Sequence, residues 1–342
     1  MADVSGPGRE GLVMRFLYFL LLTAGLAAAT EELPGELEHL ATVQEEAPLV
    51  EAIRDFDQAQ IALAVTDRGE ADTLAKSGGK EQAQAKLDAA RKRVELVRKA
   101  YEWGLTRYPK NARLHNYYGE LLYDEYKDFA AALRQWYLAL QEDPKLANAH
   151  NNLGIHLFHS GDYRMGLERL DEALRLDPNH PDFLFNMAQM YLVYSPQIQE
   201  LRGWKKEKVY REAMKLSKKA AAVSPEDFAL LQDYAVNFYA GENFDADVKW
   251  KDAASAWRSA RAKAGKPDQV FYTWLNEARV WLKEGDAQQA KTCLEEALKV
   301  YPQSEVARDL LNSMESGGVE DLSDKKKSPK NLSGRQRSGG RE

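Results

Sequence analysis

The 342-residue sequence has a single cysteine, Cys293, which excludes an internal disulfide framework and a zinc cluster built on paired cysteines. It also lacks a positive excess: 47 Lys and Arg against 53 Asp and Glu leave a net charge of −6, with both signs interleaved along the chain. Phosphate recognition normally shows clustered Lys and Arg on one face, so no nucleic-acid partner is expected. Catalytic signatures are missing too. No GxSxG or HExxH occurs, and "KSGGKE" lacks the spacing and the Ser or Thr of a phosphate loop. "GENFDADVK" lacks the remaining ligands and the glycine of a calcium loop. Carboxylate pairs such as Glu295 and Glu296 read as solvated helix faces, and Cys293 has no histidine near it in sequence. The expectation is a non-enzyme with no catalytic residues, no metal, no cofactor and no small-molecule substrate.

Long apolar runs are absent except at the N-terminus. "MRFLYFLLLTAGLAAAT" has Arg15, an apolar stretch from Phe16 to about Leu26, and Ala27-Ala28-Ala29 in the small-residue pattern of a cleavage site. The reading is a signal peptide over 1–29 cleaved after Ala29, with Met14 as a second candidate start. The alternative is a membrane anchor, although the run is shorter than the ~20 apolar residues of a spanning helix. Export to a periplasm or the cell exterior is expected, with no membrane span after cleavage. The lack of disulfides favours a bacterial route; in a eukaryotic lumen "NLS" at Asn331 is a glycosylation acceptor.

What the sequence does contain is a repeat. Pro144 and Pro178 lie 34 residues apart, and before Pro178 stand Gly154, Leu157, Gly166, Leu170 and Ala173. Before Pro302, at the same offsets, stand Ala278, Trp281, Ala290, Leu294 and Ala297. A mid-helix glycine costs roughly 1 kcal/mol against alanine, so Gly154 and Gly166 point to places where two backbones approach closely. This ladder resembles the tetratricopeptide repeat, a helix-turn-helix of about 34 residues. The resemblance implies an all-α right-handed superhelical solenoid. Five repeat-like units follow, over 112–146, 147–180, 181–227, 228–270 and 271–303. The first has one extra residue in its inter-helix turn. An acidic flexible segment is expected over 30–46, a divergent helical pair over 47–111, a capping helix over 304–316, and a disordered basic tail over 317–342.

The resemblance implies a groove lined by the first helix of each unit, used to hold a protein or peptide partner. Counted from the start of each unit, the sixth position is Asn152, Asn186, Asp233 and Asn276. A row of side-chain amides can bond the backbone of an extended chain, and this row looks like the asparagine ladder of superhelical tetratricopeptide domains. Asp233 would then face a donor-rich or cationic stretch. The other reading is that these amides only bond neighbouring helices. Further groove positions supply Tyr123, Phe158, Phe185, Tyr239 and Tyr272 beside Asn148, Asn151, Gln189, Gln232 and Arg279, as anchors for apolar partner residues or, if the register slips by one, as core. In this register only His159 of the pair His156 and His159 faces the groove, which disfavours a metal site. The basic clamp for a terminal carboxylate is missing, since position five holds Asn116, Asn151, Phe185, Gln232 and Leu275.

Two insertions lengthen the inter-helix turns, over 195–208 and 241–252. The first carries Arg202, Trp204, Lys205 and Lys206, the second Phe244 and Trp250. They form either a binding edge or a staple in which the two pair charge to charge and ring to ring. The expected function is a protein-binding adaptor using the groove. The alternatives are an envelope or complex-assembly factor using the edge, and an accessory subunit of an enzyme.

Overall fold

The structure is a computed structural model, and it describes residues 34–315. The signal-peptide reading over 1–29, the tail over 317–342 and Asn331 lie outside the described residues. The described chain is all α, with no strand. It divides into two compact units between Ala149 and His150.

The first unit begins with a 3-10 turn, Gly35–Leu37, and a short helix α1, Glu38–Ala41. Two long helices follow, α2 (Glu46–Lys76) and α3 (Lys80–Arg107), reversed through Ser77–Gly79, where Gly78 takes φ +90°. A three-residue turn forces the pair to pack side by side. Leu49, Ile53, Ile61, Ala64, Val94, Val97 and Tyr101 form their buried seam. The segment expected to be flexible is folded from residue 34: Leu37 and Leu40 are fully buried in the same cluster. Three residues apart, they share one helical face, and the open side of the α2–α3 pair gives that face something to cover. Tyr108 closes the segment by donating to the Gln44 carbonyl at 2.8 Å.

Next come α4 (Ala112–Leu121) and α5 (Phe129–Glu142). The extra residue of this repeat is absorbed as a π-helical turn, Leu122–Tyr126, closed by Lys127 at φ 55°. One inserted residue widens a helix into this form. Gly119 lets α5 approach, since a Cβ there would stand 2.5 Å from the Trp136 indole nitrogen.

The helices that carry the second unit are α6 (Ala147–Ser160), which begins just before the division, α7 (Tyr163–Leu176), α8 (Pro181–Val193), α9 (Ser195–Arg202), α10 (Lys206–Val223), α11 (Phe228–Asn237), α12 (Trp250–Arg261), α13 (Pro267–Glu284) and α14 (Ala287–Val300). A 3-10 turn, Phe238–Phe244, precedes α12, and α15 (Glu305–Glu315) follows α14. Asp162 and Asp286 cap the second helices α7 and α14 through the backbone N–H of Met165 and Gln289. Gly161 and Gly285 end the first helices α6 and α13 in the left-handed conformation. The last repeat starts earlier than its expected boundary at 271, because Pro267 occupies the first turn of α13.

Gly154 and Gly166 are the crossing point of α6 and α7. A Cβ on Gly154 would stand 3.0 Å from the Gly166 carbonyl, and a Cβ on Gly166 would stand 3.0 Å from the Gly154 carbonyl. The two backbones touch there, which is why both positions tolerate the cost of glycine.

Candidate functional site

In the second unit, side-chain hydrogen bonds run from one first helix to the next. Asn186 on α8 donates to Asn151 Oδ1 on α6 at 3.1 Å, and Asn151 donates to Asn152 Oδ1 at 3.4 Å. Gln189 on α8 donates to Asp233 on α11 at 2.8 Å. Tyr239 donates to the Asn276 carbonyl on α13 at 2.9 Å; Asn276 donates to the Tyr272 carbonyl and accepts from Arg279 at 3.1 Å. These bonds join Asn186 to Asn152 through Asn151, tie Asp233 to α8 through Gln189, and reach the Asn276 carbonyl from Tyr239.

Their chemistry is different from a ladder that bonds an extended chain. Asn152, Asn186 and Asn276 are at most 3% exposed, and their amides are engaged inside the protein. A buried amide left unpaired costs roughly 1–3 kcal/mol, so a residue squeezed between neighbouring first helices bonds its neighbours. Asp233 breaks the pattern for a local reason. It accepts from Gln189, Ser217 and Asn237, at 2.8, 3.1 and 2.9 Å, so its donors come from the protein and not from a cationic ligand.

Most of the expected aromatic anchors are packing residues. Phe158 is fully buried against Tyr163 and Tyr194, and Phe185 is buried with Leu184, Ala220 and Leu230. In the first unit, Tyr123 lies against Phe129 and Trp136, with ring centroids 4.9 and 5.5 Å away. Tyr239 packs on Trp250 at 5.8 Å, and burial holds its phenol well above the ordinary value. Tyr272 stands edge-on to Trp257 but stays half-buried.

Between the two insertions the structure shows one ion pair, while their rings pack on other elements. Lys206 pairs with Asp245 across them, while Arg202 reaches back to Asp171 at 2.5 Å and Tyr191 at 3.1 Å. Trp204 stands edge-on to Tyr191, with Lys208 4.4 Å above its ring, and Phe244 is buried against Tyr210. Lys205, at the head of α10, is exposed and makes no side-chain hydrogen bond or ion pair among the described residues.

What the row leaves accessible on these helices is a smaller set. Val193 ends α8 at 64% exposure. Gln232 and Val236, one turn apart on α11, are half-buried, and Gln232 has no hydrogen-bond partner among the described residues. Tyr272 and the guanidinium of Arg279 complete the set on α13.

Sequence reasoning passed over Glu277. This carboxylate is 1% exposed and accepts from Arg258 at 2.7 Å, Arg261 at 2.6 Å and the Trp281 indole at 3.2 Å, which ties α12 to α13. An acid directly before the small-residue position Ala278 was the available clue. In the first unit, an open hollow of about 540 Å³ beside the π-turn is lined by Glu95, Arg98, Tyr118, Tyr126, Asp128 and Arg134 among others. Arg98 is held there by Glu95 and Glu102.

Among the described residues no group of three or more His, Cys, Asp or Glu stands close enough to hold a metal ion. Burial lowers the pKa of His156 and His159, and His159 is lowered further by His156. A histidine depressed in the fold binds fewer protons than in the unfolded chain, so its contribution is present above the ordinary value of about 6.5 and is lost as pH falls below it. The melting temperature is expected to drop between pH 7.5 and 5.5, and replacing both histidines with glutamine is expected to flatten that slope; an unchanged slope contradicts the assignment. Burial pushes the Cys293 thiol up to about 12, so it stays protonated at neutral pH. Native protein is expected to react with Ellman's reagent only at the rate of unfolding, and prompt labelling in the absence of denaturant would refute this.

Family models for the tetratricopeptide repeat match residues 147–180 and 68–147. The chain thus carries tetratricopeptide repeats in an all-α, helix-turn-helix architecture. No curated protein matches it. Among solved structures it is similar to YrrB, described as a TPR protein with an unusual peptide-binding site, at 15% identity and TM-score 0.45, over 63% of this chain and 99% of that one. It is also similar to PilF of Pseudomonas aeruginosa, at 17% identity and TM-score 0.43, over 77% and 99%. A third is PilW, a type IV pilus biogenesis factor, at 18% identity and TM-score 0.44, over 72% and 98%. At such TM-scores these likenesses say nothing about a partner. No described helix is long and apolar enough to cross a membrane.

Proposed function

We propose that the chain is a non-enzymatic scaffold that holds a segment of a partner protein along the first helices of its second unit. The reading rests on one observation: the internal bonds of the asparagine row fix α8, α11 and α13, while Gln232, Val193, Tyr272 and Arg279 keep accessible groups on those helices. The row acts as a frame, and the contacts to a partner come from its neighbours. Gln232 supplies amide donors and an acceptor for backbone, Arg279 a fixed cation, and Val193 and Tyr272 apolar area. The N-terminal segment ending at Ala29 exports the scaffold to a periplasm or the cell exterior.

The test is affinity capture from native extract by the chain from Thr30 onward, beside a Gln232→Glu/Arg279→Glu variant. A partner enriched by the first and reduced at least about tenfold by the second, about 1.4 kcal/mol of binding, supports the reading when helical circular dichroism is unchanged. Equal capture by both moves the contact surface off these helices.

A further inference from the structure

The second helices of the second unit differ in charge. Helix α7 interleaves Arg164, Arg169 and Arg175 with Glu168, Asp171 and Glu172, and α14 balances Lys291 and Lys299 against Glu295 and Glu296. Helix α10 does not balance. It has Lys206, Lys208, Arg211, Lys215, Lys218 and Lys219 against Glu207 and Glu212, in a chain whose net charge is −6.

Five of these cations fall on one line. At about 3.6 residues per turn, Lys208, Arg211, Lys215, Lys218 and Lys219 occupy roughly 100° of arc and about 17 Å of length. The opposite face is spent on packing: Val209, Tyr210, Ala213, Ser217 and Ala220 are buried. Lys208 is half-buried over Trp204 and the other four are exposed. Lys215 meets Glu212 at 2.9 Å and Lys219 donates to the Pro178 carbonyl at 2.6 Å. Arg211 and Lys218 make no ion pair or hydrogen bond among the described residues. Like charges three and four residues apart, as in Arg211–Lys215 and Lys215–Lys218, weaken a helix. Lys208, Lys215 and Lys219 each make one contact within the fold, whereas Arg211 and Lys218 contribute only like-charge repulsion to it, which makes the line a surface for something else.

We propose that the outer face of α10 is a docking strip for an acidic polypeptide segment that presents carboxylates at helical spacing. The shape of the strip selects this partner over a membrane. A lipid surface needs cations spread over a plane, whereas these five lie along about 17 Å of a single helix within roughly 100° of arc. A line of that form fits one chain segment lying along it. It is separate from the first helices that carry the proposed scaffold function, so the two surfaces can be occupied together.

The experiment titrates a fluorescein-labelled oligoglutamate with the full chain, read by anisotropy at ~0.01 M and ~0.15 M salt, where the Debye length is about 30 and about 8 Å. Saturable binding at low salt that weakens at the higher salt is expected. Replacing the five cations with alanine is expected to raise Kd at least about tenfold, a loss of about 1.4 kcal/mol, with unchanged circular dichroism. A variant with the five positions changed to glutamate is expected to bind labelled oligolysine instead. Phosphatidylserine vesicles and random duplex DNA are run alongside. Equal oligoglutamate affinity for the parent and the alanine variant overturns the proposal, and so does strip-dependent binding tighter to vesicles or duplex than to the peptide.

Discussion

Replacing Arg54 with alanine is expected to destabilise the first unit by about 3–5 kcal/mol, the usual cost of removing one partner from a buried charge cluster. Arg54 on α2 is 3% exposed and bonds Asp57 at 3.0 Å and Glu120 on α4 at 3.2 Å, carboxylates that are 4% and 3% exposed. Its guanidinium also lies 4.2 Å from the centre of the Tyr117 ring. Tyr101 on α3 donates to Asp57 at 2.8 Å, and burial, with the Asp57 charge, keeps its phenol protonated well above the ordinary value. Asn116 donates to Glu120 at 2.8 Å. Alanine at position 54 would leave two buried carboxylates without the guanidinium that both of them bond. The loss is read as hydrogen-exchange protection of α2, α3 and α4, which reports this unit separately from the other. A loss below about 1 kcal/mol would show that the site is wet and the charges are solvated. Replacing Arg54, Asp57 and Glu120 together with methionine and two leucines is expected to restore most of the stability, because buried ionic clusters are often no better than apolar packing of the same volume.

The second large effect is expected from Gly166→Val, at about 3 kcal/mol, the upper end for overpacking. A Cβ at Gly166 would stand 2.8 Å from Phe158 Cδ2, 3.0 Å from the Gly154 carbonyl and 3.1 Å from the Phe158 nitrogen. Two of these are backbone atoms, which no rotamer change can move aside. Valine adds two methyls to that clash, so α6 and α7 must separate and lose contact along their length. Gly166→Ala is expected to cost less, and a Gly154→Ala/Gly166→Ala pair to deviate from additivity, since both substitutions push on one crossing. The thermal midpoint of the second unit measures this series. A valine variant as stable as the parent would mean that α6 and α7 do not cross there.

The crossing glycines were legible in the sequence because a repeat puts the same geometric demand at the same offset. The asparagine row was legible only in part. Spacing places Asn152, Asn186 and Asn276 on one face, but whether an amide there meets solvent or the adjacent helix depends on how closely consecutive first helices pack, and that distance is set by other residues. A slip of one residue on a helix turns a side chain by about 100°, enough to carry Phe158 and Phe185 from a groove into the core. The ion pair between the insertions brings Lys206 to Asp245 across 39 residues of chain, a pairing no local pattern announces. Leu37 and Leu40 were hidden among acidic neighbours, and only the exposed side of the α2–α3 pair explains why that segment folds.

The central claim is that a partner lies along the first helices of the second unit. It is tested most directly by placing a photo-crosslinking benzoylphenylalanine at Gln232 or Tyr272 on those helices, and at Ser255 or Glu295 on the exposed faces of α12 and α14, and irradiating the full chain in native extract. Crosslinks to one and the same protein from positions 232 and 272, and none from 255 and 295, are the predicted result. Crosslinks from 255 and 295 with none from 232 and 272 would contradict the account.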